Sequence, residues 1–185
     1  MKYDPAIHHR KSIRLKEYSY SSPGAYFITI CTHEKKCLFG EIMQEEMQLN
    51  KIGKIVQEEW YKTKDIRPEV ELDSFVIMPN HIHGIIVLIE CRGTLQRAPT
   101  KEQFGKPTSN SIPTIVRLFK AAATKRINEY RAIPGIPVWQ KNYYEHIIRN
   151  DDSLNKIRDY IIHNPLKWQE DEENPNSVQN QQHGK

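Results

Sequence analysis

The sequence predicts an α+β domain: an antiparallel sheet covered by helices on one face. Two observations carry that prediction. Short runs rich in β-branched and aromatic residues alternate with three segments of helical periodicity. Two of the strand-like runs are separated only by Pro79-Asn80, which makes them an antiparallel pair. No internal repeat suggests another architecture.

Residues 1–22 read as a basic arm ending at the turn Ser21-Ser22-Pro23-Gly24. Residues 26–32, Tyr-Phe-Ile-Thr-Ile-Cys-Thr, form a strand by composition, and residues 38–40 open a short second strand or a turn. Over residues 50–64, Ile52, Ile55, Val56 and Trp60 recur at helical spacing among Lys and Glu, an amphipathic helix. Strands are predicted over 71–78 and 81–90, then a long loop over 92–110. A second helix runs over 111–131 with Pro113 in its first turn and Ile115, Val116, Phe119, Ala123 and Ile127 as its core stripe. Pro134-Gly135-Ile136-Pro137 breaks the chain before a strand-like stretch over 138–149. A third helix opens after Asn150, capped by Asp151 or Asp152, and stops at Pro165. The domain is expected to span 23–168, leaving 169–185 as an acidic, disordered tail.

The net charge of +4 hides an asymmetry: the tail carries −3, so residues 1–168 carry +7. Residues 111–149 hold seven positive side chains against Glu129 and Glu145. Arg10, Lys11, Arg14 and Lys16 on the arm, with Arg117, Lys120, Lys125 and Arg126 on the second helix, are the candidate phosphate contacts for a nucleic acid. Three cysteines without CxxC spacing argue against a disulfide framework or structural zinc and fit a reducing cytosol. No apolar run approaches the ~20 residues of a membrane span, and no signal-peptide pattern opens the chain. A cytoplasmic protein is the expectation.

The chemistry concentrates in Phe75-Val-Ile-Met-Pro-Asn-His-Ile-His-Gly84. His81 and His83 alternate on a strand, so both imidazoles project from one face. That pair suits a divalent metal, or is equally a pair of strand histidines satisfied by hydrogen bonds. Tyr160 and Asn164 are four apart on the last helix and share a face. Asn164 offers a hard carbonyl oxygen for Mg²⁺ or Mn²⁺, or acts as a helix C-cap before Pro165. Tyr160 is a nucleophile or one of nine tyrosines that mostly pack. His146 and His163 are stray ligands or packing residues. If the last helix crosses the histidine strand, a His₂Asn site forms with a phenol one turn away.

Taken together, these residues resemble the HUH single-tyrosine transposases of insertion sequences, especially the REP-associated tyrosine transposase branch. The likeness rests on Arg10-Lys-Ser-Ile-Arg-Leu15, residues 24–32, the His81-Ile-His83 segment, Trp139-Gln-Lys-Asn-Tyr-Tyr-Glu-His-Ile-Ile-Arg149 and Tyr160-Ile-Ile-His-Asn-Pro-Leu166. It spans roughly residues 8–168 and leaves the tail unmatched. The resemblance implies a ferredoxin-like fold and metal-dependent cleavage of single-stranded or hairpin DNA by a monomer or homodimer. It further implies His81, His83 and Asn164 as ligands to Mg²⁺ or Mn²⁺ and Tyr160 as nucleophile. Asparagine at position 164, where insertion-sequence relatives typically carry glutamine, points to the REP-associated branch.

Two rival readings remain at this stage. One is a catalytically silent regulator that binds repeat DNA. The other is a metal-dependent hydrolase of small substrates, which leaves Tyr160 and the basic stripe without a role.

Overall fold

The computed structural model describes residues 18–90 and 110–177. Strands β1 (Gly24–Cys31), β4 (Val70–Ile77), β5 (His81–Leu88) and β6 (Tyr144–Ile148) form one sheet in the order β4-β5-β1-β6, with antiparallel neighbours throughout. A separate hairpin joins β2 (Gly40–Met43) to β3 (Glu46–Leu49). Three helices complete the domain: α1 (Lys51–Ile66), α2 (Ile112–Arg131) and α3 (Asp151–His163). Helix and antiparallel sheet therefore combine as the sequence predicts. Among the described residues, no helix is long and apolar enough to cross a membrane.

Strand alternation decides what each face holds. Tyr26, Ile28 and Ile30 of β1 join Ile82, Ile86 and Leu88 of β5 in one core, against Ile55, Val56 and Trp60 of α1 and Ile115, Val116, Phe119 and Ile127 of α2. Phe27 and Ile85 point the other way and meet Ile161, Leu154 and Ile157 of α3. The expectation that helices cover one face is thus corrected: α1 and α2 cover one, α3 the other. The reason lies in two sets of apolar residues interleaved along β1 and β5, which need a cover on both sides. His81 and His83 share the odd-numbered face with Ile85, so they project toward α3.

Gly84 shows how tightly the opposite face is filled. A Cβ there would overlap Trp60 Cζ2, whose ring stacks on Phe75 with centroids 4.5 Å apart. A register shift between Leu72 and Phe75 sets Phe75 opposite Gly84. Gly84→Ala is expected to lower unfolding free energy by about 1–3 kcal/mol through overpacking. Urea denaturation checks this, and an unchanged midpoint would mean that the indole yields freely.

Other elements differ from expectation for identifiable reasons. The β2–β3 hairpin turns through Gln44 and Glu45, both at positive φ, without the Asn-Gly pair that normally marks such a turn. The stretch 138–149 is strand only from Tyr144 to Ile148, with Trp139 making an isolated bridge to Thr32. Asn150 itself caps α3, its Oδ1 accepting from the Ser153 amide at 2.8 Å, while Asp151 and Asp152 occupy the first turn. The predicted 92–110 loop lies outside the described residues except Asn110, as does most of the basic arm.

Disorder from residue 169 onward is also corrected, for 169–177. A 3₁₀ turn, Pro165–Glu170, buries Trp168 against the sheet, and Asn174 and Ser177 are buried beyond it. Asn174 Nδ2 donates to the Trp168 carbonyl at 2.8 Å. Lys35 pairs with Glu173 at 3.1 Å. Nothing in this polar stretch has an apolar period, so its order comes from one indole and specific side-chain bonds that composition does not reveal.

Candidate functional site

Three elements converge on the α3 face of the sheet. Strand β5 brings His81 and His83, both buried, with their Nε2 atoms 3.0 Å apart. Strand β1 sets Thr29 directly opposite His83, and Thr29 Oγ1 lies 2.9 Å from His83 Nδ1. Helix α3 brings Tyr160, whose hydroxyl is 3.3 Å from His83 Nε2. The phenol ring also meets Phe27 edge-on at 6.1 Å. Asn164 closes the helix one turn later, and its Oδ1 is buried without a hydrogen-bond partner. Helix α3 packs on the histidine-bearing face of the sheet, the condition on which the sequence reading made the site depend.

Asn80 fixes the state of His81. Its Nδ2 donates to the carbonyls of Lys35 and Glu173, at 3.0 and 2.6 Å, which leaves Oδ1 as an acceptor. His81 Nδ1 stands 2.8 Å from that oxygen and must donate to it. The Nε2 lone pair of His81 is thereby turned into the site. Thr29 serves His83 with either tautomer, since a hydroxyl both donates and accepts. Burial, then the neighbouring imidazole and Lys35, holds His81 well below the ordinary histidine pKa. Burial pushes His83 down to about 3. Both rings are neutral at physiological pH, the form that ligates metal.

A carboxylate joins the pair. Asp171 Oδ2 is 3.8 Å from His81 Nε2, its side chain only 8% exposed, and the three residues each bring a ligand atom within 4.8 Å of the others. Two imidazoles and a carboxylate, with an unpartnered amide oxygen on the adjoining helix, fit a divalent metal ion. Burial, followed by Asp171, raises the Tyr160 phenol above its usual pKa, while the Asn164 amide beside it works in the opposite direction. Tyr160 is 45% exposed, so its ring is open to solvent on one side.

Arg158 anchors the helix that carries the tyrosine. Its Nε and Nη2 donate to the two carboxylate oxygens of Asp73 on β4, at 2.9 and 2.6 Å. The guanidinium holds the Asp73 carboxyl down at about 2.

Other sequence-stated candidates are placed differently. Arg117 and Lys125 are exposed on α2, across the sheet from Tyr160. Lys120 donates to the carbonyls of Gln140 and Asn142 at 2.8 and 2.9 Å. Arg126 pairs with Glu58 and Glu59 of α1, so both cations also hold the fold. Arg10, Lys11, Arg14 and Lys16 lie outside the described residues. His163 Nδ1 donates to the Asp159 carbonyl at 2.7 Å, and His146 is exposed on edge strand β6. The imidazole beside the phenol is instead His83. Tyr143 donates to Glu145 at 2.6 Å, away from the histidine pair. Sequence reasoning missed Thr29, Asn80 and Asp171. Asn80 stood inside the quoted motif, Thr29 carried no signal, and Asp171 lay in the stretch read as disordered.

No family model matches the chain. It is 49% identical over 177 residues to an uncharacterized protein of Haemophilus influenzae, covering 92% of this chain and 96% of that protein. A second H. influenzae protein, assigned as a REP-associated tyrosine transposase, is 34% identical over 99 residues, 52% of this chain and 50% of that one. A solved REP-associated tyrosine transposase bound to a REP hairpin shares the fold at a TM-score of 0.55 and 21% identity, over 85% of this chain and 73% of that one. A helix-borne tyrosine set against paired strand histidines thus stands in a chain that is similar over about half its length to a protein assigned as a REP-associated tyrosine transposase and that shares the fold of a solved one.

Proposed function

We propose that this protein cleaves and rejoins single-stranded DNA by transesterification, through a 5′-phosphotyrosine link to Tyr160. The observation that carries this reading is the Tyr160 hydroxyl 3.3 Å from His83 Nε2, beside a buried Asn164 oxygen with no partner. A phenol held over an ion site is an arrangement for attack on phosphorus rather than for packing. The phenol gives up its proton and its oxygen bonds to phosphorus. The P–O3′ bond breaks, and the released 3′ oxygen takes up a proton as a hydroxyl. Phenoxide is a better leaving group than an alkoxide, so a 3′-hydroxyl can reverse the step and rejoin strands without ATP.

His81, His83 and Asn164 would hold Mg²⁺ or Mn²⁺, which when bound would supply positive charge to offset that of the phosphate. Asn80 and Thr29 set the imidazole orientations. Phe27 supports the phenol ring from the sheet. The substrate we assign is a hairpin or palindromic repeat, a reading supported by the hairpin held in the solved relative. Arg117 and Lys125, exposed on α2, and the basic arm are the phosphate contacts we assign, with Lys125 also 4.0 Å from Glu129.

Incubating the chain with Mn²⁺ and a labelled single-stranded hairpin tests the reading. A covalent protein–DNA adduct is expected, with a free 3′-hydroxyl on the released fragment. The raised phenol pKa is the feature that favours a silent repeat-binding protein. Tight hairpin binding with no adduct would establish that alternative.

Asn164 offers a graded check. Asn164→Leu removes the carbonyl oxygen and should lower cleavage at least about 10²-fold, as loss of a group oriented on the reacting phosphate does. Asn164→Gln should retain measurable cleavage, because the longer amide still carries the oxygen. Unchanged single-turnover rates in Asn164→Leu would reduce the residue to a helix terminus.

A further inference from the structure

We infer that Asp171 is itself an ion ligand in this chain, so that divalent-ion binding and docking of residues 171–174 form one coupled equilibrium. The inference rests on the ion-site reading above and adds a residue from outside the histidine strand and the tyrosine helix.

Geometry supplies the first support. Cis ligands of an octahedral ion at about 2.1 Å lie about 3 Å apart, and Asp171 Oδ2 is already 3.8 Å from His81 Nε2. Asp171 Oδ1 is taken by the Glu173 amide at 2.7 Å, which turns Oδ2 toward the imidazole pair. Asn80 commits His81 Nδ1 as the donor, so the facing Nε2 presents a lone pair. A buried carboxylate oxygen opposite a lone pair is a costly arrangement unless a cation lies between them. Four protein donors would leave two positions of six for phosphate oxygens.

The second support is how the segment is held. Asn80 joins the tail to the ligand strand through one side chain: Nδ2 donates to the Glu173 carbonyl at 2.6 Å, while Oδ1 orients His81. Lys35 clamps the Glu173 carboxylate at 3.1 Å. Anything that fixes His81 and Asp171 on one ion therefore also fixes residues 171–174 on the sheet. By linkage, a docked tail must then raise ion affinity.

The test uses the full chain and Mn²⁺ alone. Free Mn²⁺ is followed by its EPR signal, and hydrogen exchange is read in a peptide spanning 169–177. Wild type should bind one Mn²⁺, and exchange in that peptide should slow when it does. Asp171→Asn should weaken binding by about tenfold or more, and Glu172→Gln, an equal charge change on an exposed neighbour, by less than about twofold. If wild type takes up no Mn²⁺, the ion-site reading fails and this inference with it. If His83→Ala abolishes uptake but Asp171→Asn binds normally, only the Asp171 assignment is overturned. An equal loss in Glu172→Gln would replace ligation by a field effect. The exchange experiment needs no variant: Mn²⁺ binding by wild type without slower exchange over 169–177 overturns the coupling.

Discussion

Tyr160→Phe should abolish both strand cleavage and the covalent adduct, a loss of at least about 10³-fold on the scale of nucleophile deletions. The change removes one oxygen and keeps the ring. Its edge contact with Phe27 survives, and the lost 3.3 Å contact to His83 is partly exposed. Fold and ion binding should therefore stay near wild type, which separates chemistry from assembly. Tyr144 is the nearest rival on the same face: it lies opposite Thr29 in the β1–β6 register and is exposed. It carries no contact to the histidine pair, so Tyr144→Phe should keep the adduct, as should Tyr143→Phe. Peptide mapping of a trapped adduct decides the matter. DNA on a peptide containing Tyr143 or Tyr144, or cleavage persisting in Tyr160→Phe, would overturn the proposed mechanism.

His83→Ala should eliminate Mn²⁺ uptake and cleavage together while leaving hairpin affinity within a few-fold. On the proposed reading affinity rests mainly on phosphate contacts away from this face, whereas His83 is a central member of the site. Its ring stacks on Phe27 with centroids 5.4 Å apart and bonds Thr29 and His81. Truncation therefore leaves two buried polar groups unpaired, a stability cost of about 1–3 kcal/mol. Thr29→Val isolates the orienting role, because the histidine stays and only its hydroxyl partner is lost. Mn²⁺ affinity should fall about 10- to 100-fold there, the usual range for a residue that orients a ligand. Cleavage at wild-type rate in His83→Ala would remove the ion site from the reaction.

Local patterns account for much of what the chain encodes openly. The amphipathic periods of α1 and α2 place Trp60, Phe119 and Ile127 in the core where the spacing predicts. The His-x-His alternation requires both rings on one face whatever covers it. Tyr160 and Asn164 share a helical side because 3.6 residues make a turn. Each of these follows from a repeat of two or 3.6 residues, which a single segment carries without help.

Long-range packing supplied the rest. No local rule states that α3 crosses the face opposite α1 and α2, because both faces of β1 and β5 are apolar and either could take a given helix. Thr29 becomes an orienting residue only through a register 54 positions away from His83. Asp171 and Glu173 sit in an acidic stretch whose composition reads as solvated, yet Asn80 and Lys35 hold it against the histidines. A period reports which side of an element is apolar. It carries nothing about which isolated carboxylate or hydroxyl will face that side, since such contacts depend on pairings between distant segments rather than on any repeat along the chain.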